Sequence, residues 1–185
     1  MSSEERPKAR TKGLVIVFTG DGKGKTTAAL GLAMRAVGHR YRVAVIQFIK
    51  GTMRTGEQET AKMLAPYLEW TVGGRGFTEG ALSRATLEEH RRAAQETLRL
   101  AEEKLRSREY RVVILDEVLG AIKAGLISTE QVLALIEAKP PAVHLVLTGR
   151  DAPPEIVDVA DLVTEMKAVK HPYERGIVAQ KGIEF

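Results

Sequence analysis

The chain has 185 residues, 44% apolar and 5% aromatic, with Lys+Arg 28 against Asp+Glu 24 for a net charge of +4. Such a length and composition suit one domain built on an aliphatic core. With no cysteine, disulfides, thiolate catalysis and cysteine-based zinc or iron–sulfur sites are excluded. No apolar run approaches the roughly 20 residues that span a bilayer, and the N-terminus lacks an apolar signal segment. A soluble cytoplasmic protein without membrane contact is expected. The small basic excess serves phosphate-rich small molecules as well as nucleic acid. No interleaved aromatic and basic platform for single strands appears, so nucleic acid is not expected as a partner.

Residues 1–12, MSSEERPKARTK, are polar and charged and read as a flexible arm, either mobile or ordered only on a partner or ligand. Residues 13–185 read as a single domain. Along them, continuous apolar runs at Leu14–Phe18, Arg42–Phe48, Val112–Leu115 and Val143–Thr148 predict strands covered on both faces of a parallel sheet. Leu68–Val72 is a weaker strand, and Leu162–Val169, where apolar residues mix with charges, reads as an edge strand. Helices fall between them. Thr26–Val37 is rich in Ala and Leu and stops at Gly38, expected as its C-cap. Ala85–Ser107 places Leu87, Ala94, Leu98, Ala101 and Leu105 on one face. Thr129–Ala138 starts at a Ser128/Thr129 cap and ends before Pro140-Pro141, and Pro154–Ala160 carries proline in its first turn. Alternating strands and helices imply right-handed crossovers and an α/β three-layer sandwich around a mostly parallel sheet, of the P-loop NTPase (RecA-like) type.

Thr19-Gly20-Asp21-Gly22-Lys23-Gly24-Lys25-Thr26-Thr27 follows the first strand and opens the first helix. It is a phosphate loop in which Thr19 stands where the general motif has its first glycine. Glycines let backbone N–H groups converge on phosphate oxygens, and the helix N-terminus adds its dipole. Lys25 can reach phosphate as a point charge, and the Thr26 hydroxyl sits where Mg²⁺ is usually held. The strand Val112–Leu115 runs into Asp116-Glu117. In phosphate-loop proteins a strand-end acid holds the metal directly or through water, so one of these two is expected to face Mg²⁺ and the other to orient water or backbone.

The loop continues as Ala28-Ala29-Leu30-Gly31, and its spelling resembles the P-loop corrinoid adenosyltransferases (cob(I)alamin / cob(I)yrinic acid a,c-diamide adenosyltransferases). Arg35-Ala36-Val37-Gly38-His39, Val45–Gly51, Leu147-Thr148-Gly149-Arg150 and the tail from Val169 through His171-Pro172-Tyr173 to Phe185 resemble the same family. The likeness runs from about Gly13 to Phe185.

The resemblance implies an ATP:corrinoid adenosyltransferase of adenosylcobalamin biosynthesis or salvage. Reduced Co(I) attacks the ribose 5′-carbon of ATP, triphosphate leaves as a unit, and the nucleotide lies along the loop in the reverse of the usual direction. The corrinoid, cobalamin or a precursor, is a substrate and its metal is the nucleophile, so no protein nucleophile is needed. Carried over by position, Lys25, Thr26 and Thr27 bind the triphosphate, and Gly20, Gly22, Lys23 and Gly24 complete the nucleotide-binding loop. Asp21, also near phosphate, would repel it and so faces Mg²⁺-bound water, backbone or a basic neighbour. Arg35 lies near the nucleotide, and Glu117, ranked above Asp116, ligates Mg²⁺ with Thr26. Lys25, Thr26 and Glu117 are the catalytic set. The family also implies a homodimer and an electron-donating flavoprotein partner.

Gly74-Arg75-Gly76-Phe77-Thr78 resembles the family's loop over the corrin face, where many members continue with Trp and this chain has Glu79. Phe77 is the aromatic candidate for corrinoid contact, with a plain loop anchor as the alternative. For His171 and Tyr173 corrinoid contact and a structural tail stay equally open, and Trp70 reads as core. The competing functions are a P-loop kinase and a RecA-like ATPase, which would release ADP instead of triphosphate, and a non-catalytic ATP-dependent corrinoid carrier.

Overall fold

The computed structural model describes residues 12–49, 55–73 and 84–183. Its centre is a sheet of β1 (Val15–Thr19), β2 (Val43–Gln47), β3 (Leu68–Val72), β4 (Val112–Asp116), β5 (His144–Thr148) and β6 (Leu162–Glu165). The spatial order is β3-β2-β4-β5-β1-β6, and every neighbouring pair is parallel. The sheet is thus wholly parallel, and the strand ending in Asp116 is separated from the strand feeding the phosphate loop by β5 alone.

Period-2 alternation sorts each strand's side chains into two cores. Val17, Ala44, Ile46, Val113, Leu115, Leu145 and Leu147 pack on one face with residues of α3 (Arg84–Arg106), α4 (Val118–Lys123), α5 (Thr129–Glu137) and α6 (Pro154–Val159). Ile16, Phe18, Val43, Val45, Val112, Ile114 and Val146 pack on the other, against α1 (Lys25–Gly38) and α2 (Gly56–Met63). A strand buried on both faces needs apolar residues at every position, and β1, β2 and β4 are buried at all of theirs. At the margin, β6 is exposed throughout, as its charged composition requires of an edge.

The predicted apolar face of α3 is realised: Ala94, Ala101 and Leu105 are buried and Leu87 and Leu98 pack against them. At α5, Ser128 and Gln131 form a reciprocal capping box. Gly38 differs from expectation. It is the last residue of α1, His39 caps the helix, and the left-handed position falls on Arg40 at φ 59°. Tyr41 N donates to Ala36 O and Arg40 N to Val37 O, so the helix ends in a Schellman motif with arginine where glycine is usual. The helices α2 and α4 have no counterpart among the predicted elements. Trp70 is half-buried against the α1/α2 core.

Candidate active site

The site lies at the C-terminal ends of the strands, where β1 turns into the phosphate loop. Gly20 at φ 96° and Gly24 at φ 124° hold backbone that side chains rarely tolerate. Space decides as much as dihedral angle. A Cβ on Gly20 would stand 2.4 Å from Met166 O, and one on Gly22 2.7 Å from the backbone of Lys167. Gly22 N donates to Met166 O at 2.7 Å. The segment leaving β6 is therefore pressed against the loop and fixes its shape from outside.

Lys25 is buried, and its ammonium donates to Gly20 O and Gly22 O, both at 2.8 Å. The charge is held at the centre of the loop. Burial lowers its pKa from the ordinary lysine value; the carboxylate of Glu117 opposes this, Arg150 adds to it, and Asp21 opposes it again. Asp21 and Lys23 are exposed on the outer side of the loop, as is Thr27 one turn into α1.

Behind the lysine, Asp116 is 1% exposed and collects three side-chain donors. Thr26 Oγ1 and Thr148 Oγ1 donate to its Oδ1 and Gln47 Nε2 to its Oδ2, each at 2.8 Å. The parallel register that pairs Gln47 with Asp116 sets two of these groups side by side. Glu117 takes φ 59° and ψ 21° at the N-cap of α4, half-buried, and its backbone N–H donates to Thr148 Oγ1 at 2.9 Å. The left-handed turn directs the two successive acids apart. Gly149 makes this possible, since a Cβ there would meet Leu119 at 2.7 Å.

Of the sequence candidates, Gly20, Gly22, Gly24, Lys25, Thr26, Asp116 and Glu117 come together. Arg35 does not join them: it is exposed on α1, roughly 15 Å along the helix axis from Lys25 at 1.5 Å per residue. Phe77, with Arg75 and Glu79, lies outside the described residues. His171 Nδ1 accepts from Tyr173 N at 3.3 Å and caps a short 3₁₀ turn, Pro172–Arg175, while the Tyr173 ring is 80% exposed. Sequence reasoning missed Gln47 and Thr148 as site residues. Both are polar side chains closing an otherwise apolar strand, which is the signal that could have found them.

The donors gathered around Thr26 are hydroxyl, carboxylate and amide oxygens, the set a hard divalent cation takes. Gln47 is 1% exposed, and among the described residues its Oε1 has no hydrogen-bond partner, which leaves one unsatisfied buried acceptor beside Asp116. No three His, Asp or Glu side chains converge among the described residues, which leaves most coordination positions of such an ion to phosphate and water.

Next to Thr27, between α1, α2 and β3, is a mostly apolar cavity of about 340 Å³ lined by Leu30, Met34, Glu57, Trp70 and Ile183. Among the described residues, Glu57 Oε2 and Trp70 Nε1, on two of the lining residues, are buried without hydrogen-bond partners.

Comparison with known proteins gives one consistent result. The profile of the ATP:corrinoid adenosyltransferase family BtuR/CobO/CobP matches residues 11–185. A corrinoid adenosyltransferase of Pseudomonas aeruginosa is 40% identical over 174 residues, 94% of this chain and 84% of the relative. One from a Sinorhizobium species is 42% identical over 180 residues, 96% and 83% of the two chains. Among solved structures, the flagellar accessory protein FlaH of Methanocaldococcus jannaschii superposes with a TM-score of 0.54 at 15% identity, over 83% of this chain and 71% of that one. That last likeness concerns fold alone.

Proposed function

This chain belongs to the ATP:corrinoid adenosyltransferase family, and from that premise we propose how its residues carry out adenosyl transfer from ATP to a corrinoid. The carrying observation is the pairing of a buried lysine inside the phosphate loop with a buried carboxylate that fixes the adjacent Thr26 hydroxyl. Every group on this side of the site is suited to stabilising negative charge on a phosphate chain. None is placed as a nucleophile.

In the proposed reaction the electron pair of a Co(I) corrinoid forms a bond to the 5′-carbon of ATP. The C5′–O bond breaks, its electrons leave with triphosphate, and the cobalt is formally oxidised to Co(III). Charge grows on the leaving oxygen. Lys25 releases its two loop carbonyls and turns its ammonium to the triphosphate, where the low dielectric of a buried site strengthens the contact. Bound Mg²⁺ would supply further neutralisation of the triphosphate, held by Thr26 and Glu117. Asp116 acts on Thr26 by fixing its hydroxyl, and Gln47 and Thr148 fix Asp116. The adenosine end is assigned to the cavity beside Thr27, where Leu30, Met34 and Trp70 offer apolar contact and Glu57 and Thr60 add polar side chains. Placing the nucleoside on the α2 side is compatible with the reversed nucleotide direction that the family resemblance implies.

Steady-state rates with chemically prepared Co(I) substrate and saturating ATP test this assignment. Removing a preorganised charge contact that strengthens in the transition state costs about 2.7–4 kcal/mol, so Lys25→Ala is expected to lower kcat by about 10²–10³. An unchanged kcat would take leaving-group stabilisation away from Lys25.

The dimer, the flavoprotein that delivers electrons and a cytoplasmic location belong to the same proposal; their support is the family resemblance. Among the described residues no helix is long and apolar enough to cross a membrane.

A further inference from the structure

At the opposite pole of the sheet, where the strands begin, a second concavity of about 620 Å³ is walled by Arg40, Arg42, Arg108, Arg111, Tyr41 and Tyr110. Four arginines face one acidic residue in this wall, Glu109, which Arg42 engages at 2.8 Å. The Arg42 guanidinium also lies over the Tyr110 ring at 5.0 Å, and that of Arg111 over Tyr41 at 5.8 Å. These contacts hold two planar cations at fixed places. Among the described residues, Arg42 Nε is buried without a hydrogen-bond partner. Arg40 and Arg108 are exposed, and neither is ion-paired to another of the described residues.

The backbone beneath the two exposed arginines is unusual. Arg40 has φ 59° and follows α1, and Arg108 has φ 58° and follows α3, each two residues beyond its helix. This is the position where helices ordinarily place glycine, because a Cβ is penalised in the left-handed region. A cation at a helix C-terminus gains from the dipole, yet any residue of the last turn could supply that charge without the backbone penalty. Only four non-glycine residues among those described have positive φ. Two, Glu117 and Asp151, are at the phosphate-loop end, and two, Arg40 and Arg108, share this groove. Strained backbone gathers at functional sites. His144, at the start of β5, has its pKa lowered by burial and then by the charges of Arg111 and Lys139, in keeping with a positive potential at this pole.

We propose that this basal arginine groove is a second anion site, distinct from the phosphate loop, which binds an oligophosphate, either inorganic triphosphate or the triphosphate of a nucleotide. Guanidinium forks match phosphate oxygens in pairs, and four of them in a concavity of this size suit a compact chain of phosphates. Each tyrosine ring is already engaged by an arginine, and the phosphate chain is assigned the recognition. The proposal stands independently of the adenosyl-transfer mechanism.

The test uses the full-length chain with Arg40→Gly and Arg108→Gly combined. Glycine is the residue that this backbone favours, so the melting temperature should hold or rise and adenosyl transfer should be unchanged. Calorimetric titration with inorganic triphosphate at low salt is then compared in Lys25→Ala and in Lys25→Ala carrying both arginine substitutions. The expected result is binding in the first and at least a tenfold weaker affinity in the second. Titration with ATP in the same two proteins separates the sources: equal affinity for ATP and triphosphate assigns the site to either, and binding of triphosphate alone assigns it to the free chain. Affinity unchanged by the arginine substitutions would overturn the proposal. A fall in melting temperature would also overturn it, by making the arginines structural. Tighter binding of a double-stranded oligonucleotide that displaces triphosphate would replace it with a nucleic-acid surface.

Discussion

Asp116 accepts hydrogen bonds from Thr26, Gln47 and Thr148, so most of its acceptor capacity is spent inside the protein. Glu117, one residue on, is turned away by a left-handed backbone and caps α4. The pair therefore divides the work, with Asp116 as positioning residue and Glu117 as the proposed metal ligand. Asp116→Asn sets an amide where donors converge. With charge-assisted bonds worth about 1.5–3 kcal/mol each, it should cost the fold about 2–4 kcal/mol, seen as a lower melting temperature without any ligand. Glu117→Gln should leave melting unchanged and raise the Mg²⁺ concentration needed for half-maximal activity. If Asp116→Asn shifts the Mg²⁺ titration further than Glu117→Gln does, the two roles are exchanged. The acids and the lysine were legible in the sequence because motif spacing names them. Gln47 and Thr148 were not, since strand register, which no local pattern encodes, is what brings them to Asp116. Arg35, named from family position as near the nucleotide, is exposed on α1 away from the loop and next to Met34, which lines the proposed nucleoside cavity.

At the scale of elements, α3 is tied to β3 by a polar clamp. Lys104 donates to Glu69 at 2.6 Å, and Tyr110 donates to the same carboxylate. The bonds from Lys104 and then Tyr110 lower the Glu69 pKa, and the bond to Glu69 raises that of Lys104. A depressed carboxylate pKa gives stability that is present above the unfolded value and lost as pH falls through the folded one. Glu69→Gln should therefore lower the melting temperature at pH 7 and converge with the parent chain as pH falls below the ordinary carboxylate range, through the depressed folded pKa. A difference that persists in acid would mean that the clamp works by packing. On the other side of β3, Trp70 is the only tryptophan and it lines the proposed nucleoside cavity. ATP should change its fluorescence in wild type, and Glu57→Gln should raise the ATP concentration required. A flat titration would place the nucleoside elsewhere. Long or strongly patterned elements such as α3 were predicted to within a residue or two. The helices α2 and α4, of eight and six residues, were missed because so few turns establish no period.

Across the whole molecule, the chain's apolar runs determine the layers. Strands without polar alternation must be covered on both faces, which demands parallel order and crossover helices, and the two cores follow. What the runs could not announce is strand order, or that the segment after β6 would return to press on the phosphate loop through Met166 and Lys167. From there the chain continues to Gly182 and Ile183, which line the cavity beside Thr27. The tail thus touches both the phosphate and the proposed nucleoside halves of the site, a connection visible only in three dimensions. A phosphate loop, a strand-end acid and this sheet serve kinases and ATPases equally well; family membership selects adenosyl transfer among them. The inorganic product is therefore the most direct measurement. The chain should be incubated anaerobically with ATP, Mg²⁺ and a chemically reduced corrinoid, while Co(I) absorbance is followed and the phosphate products are identified. Loss of Co(I) absorbance with one triphosphate released per cobalt–carbon bond formed is the predicted result. Release of ADP with the Co(I) spectrum unchanged would contradict it.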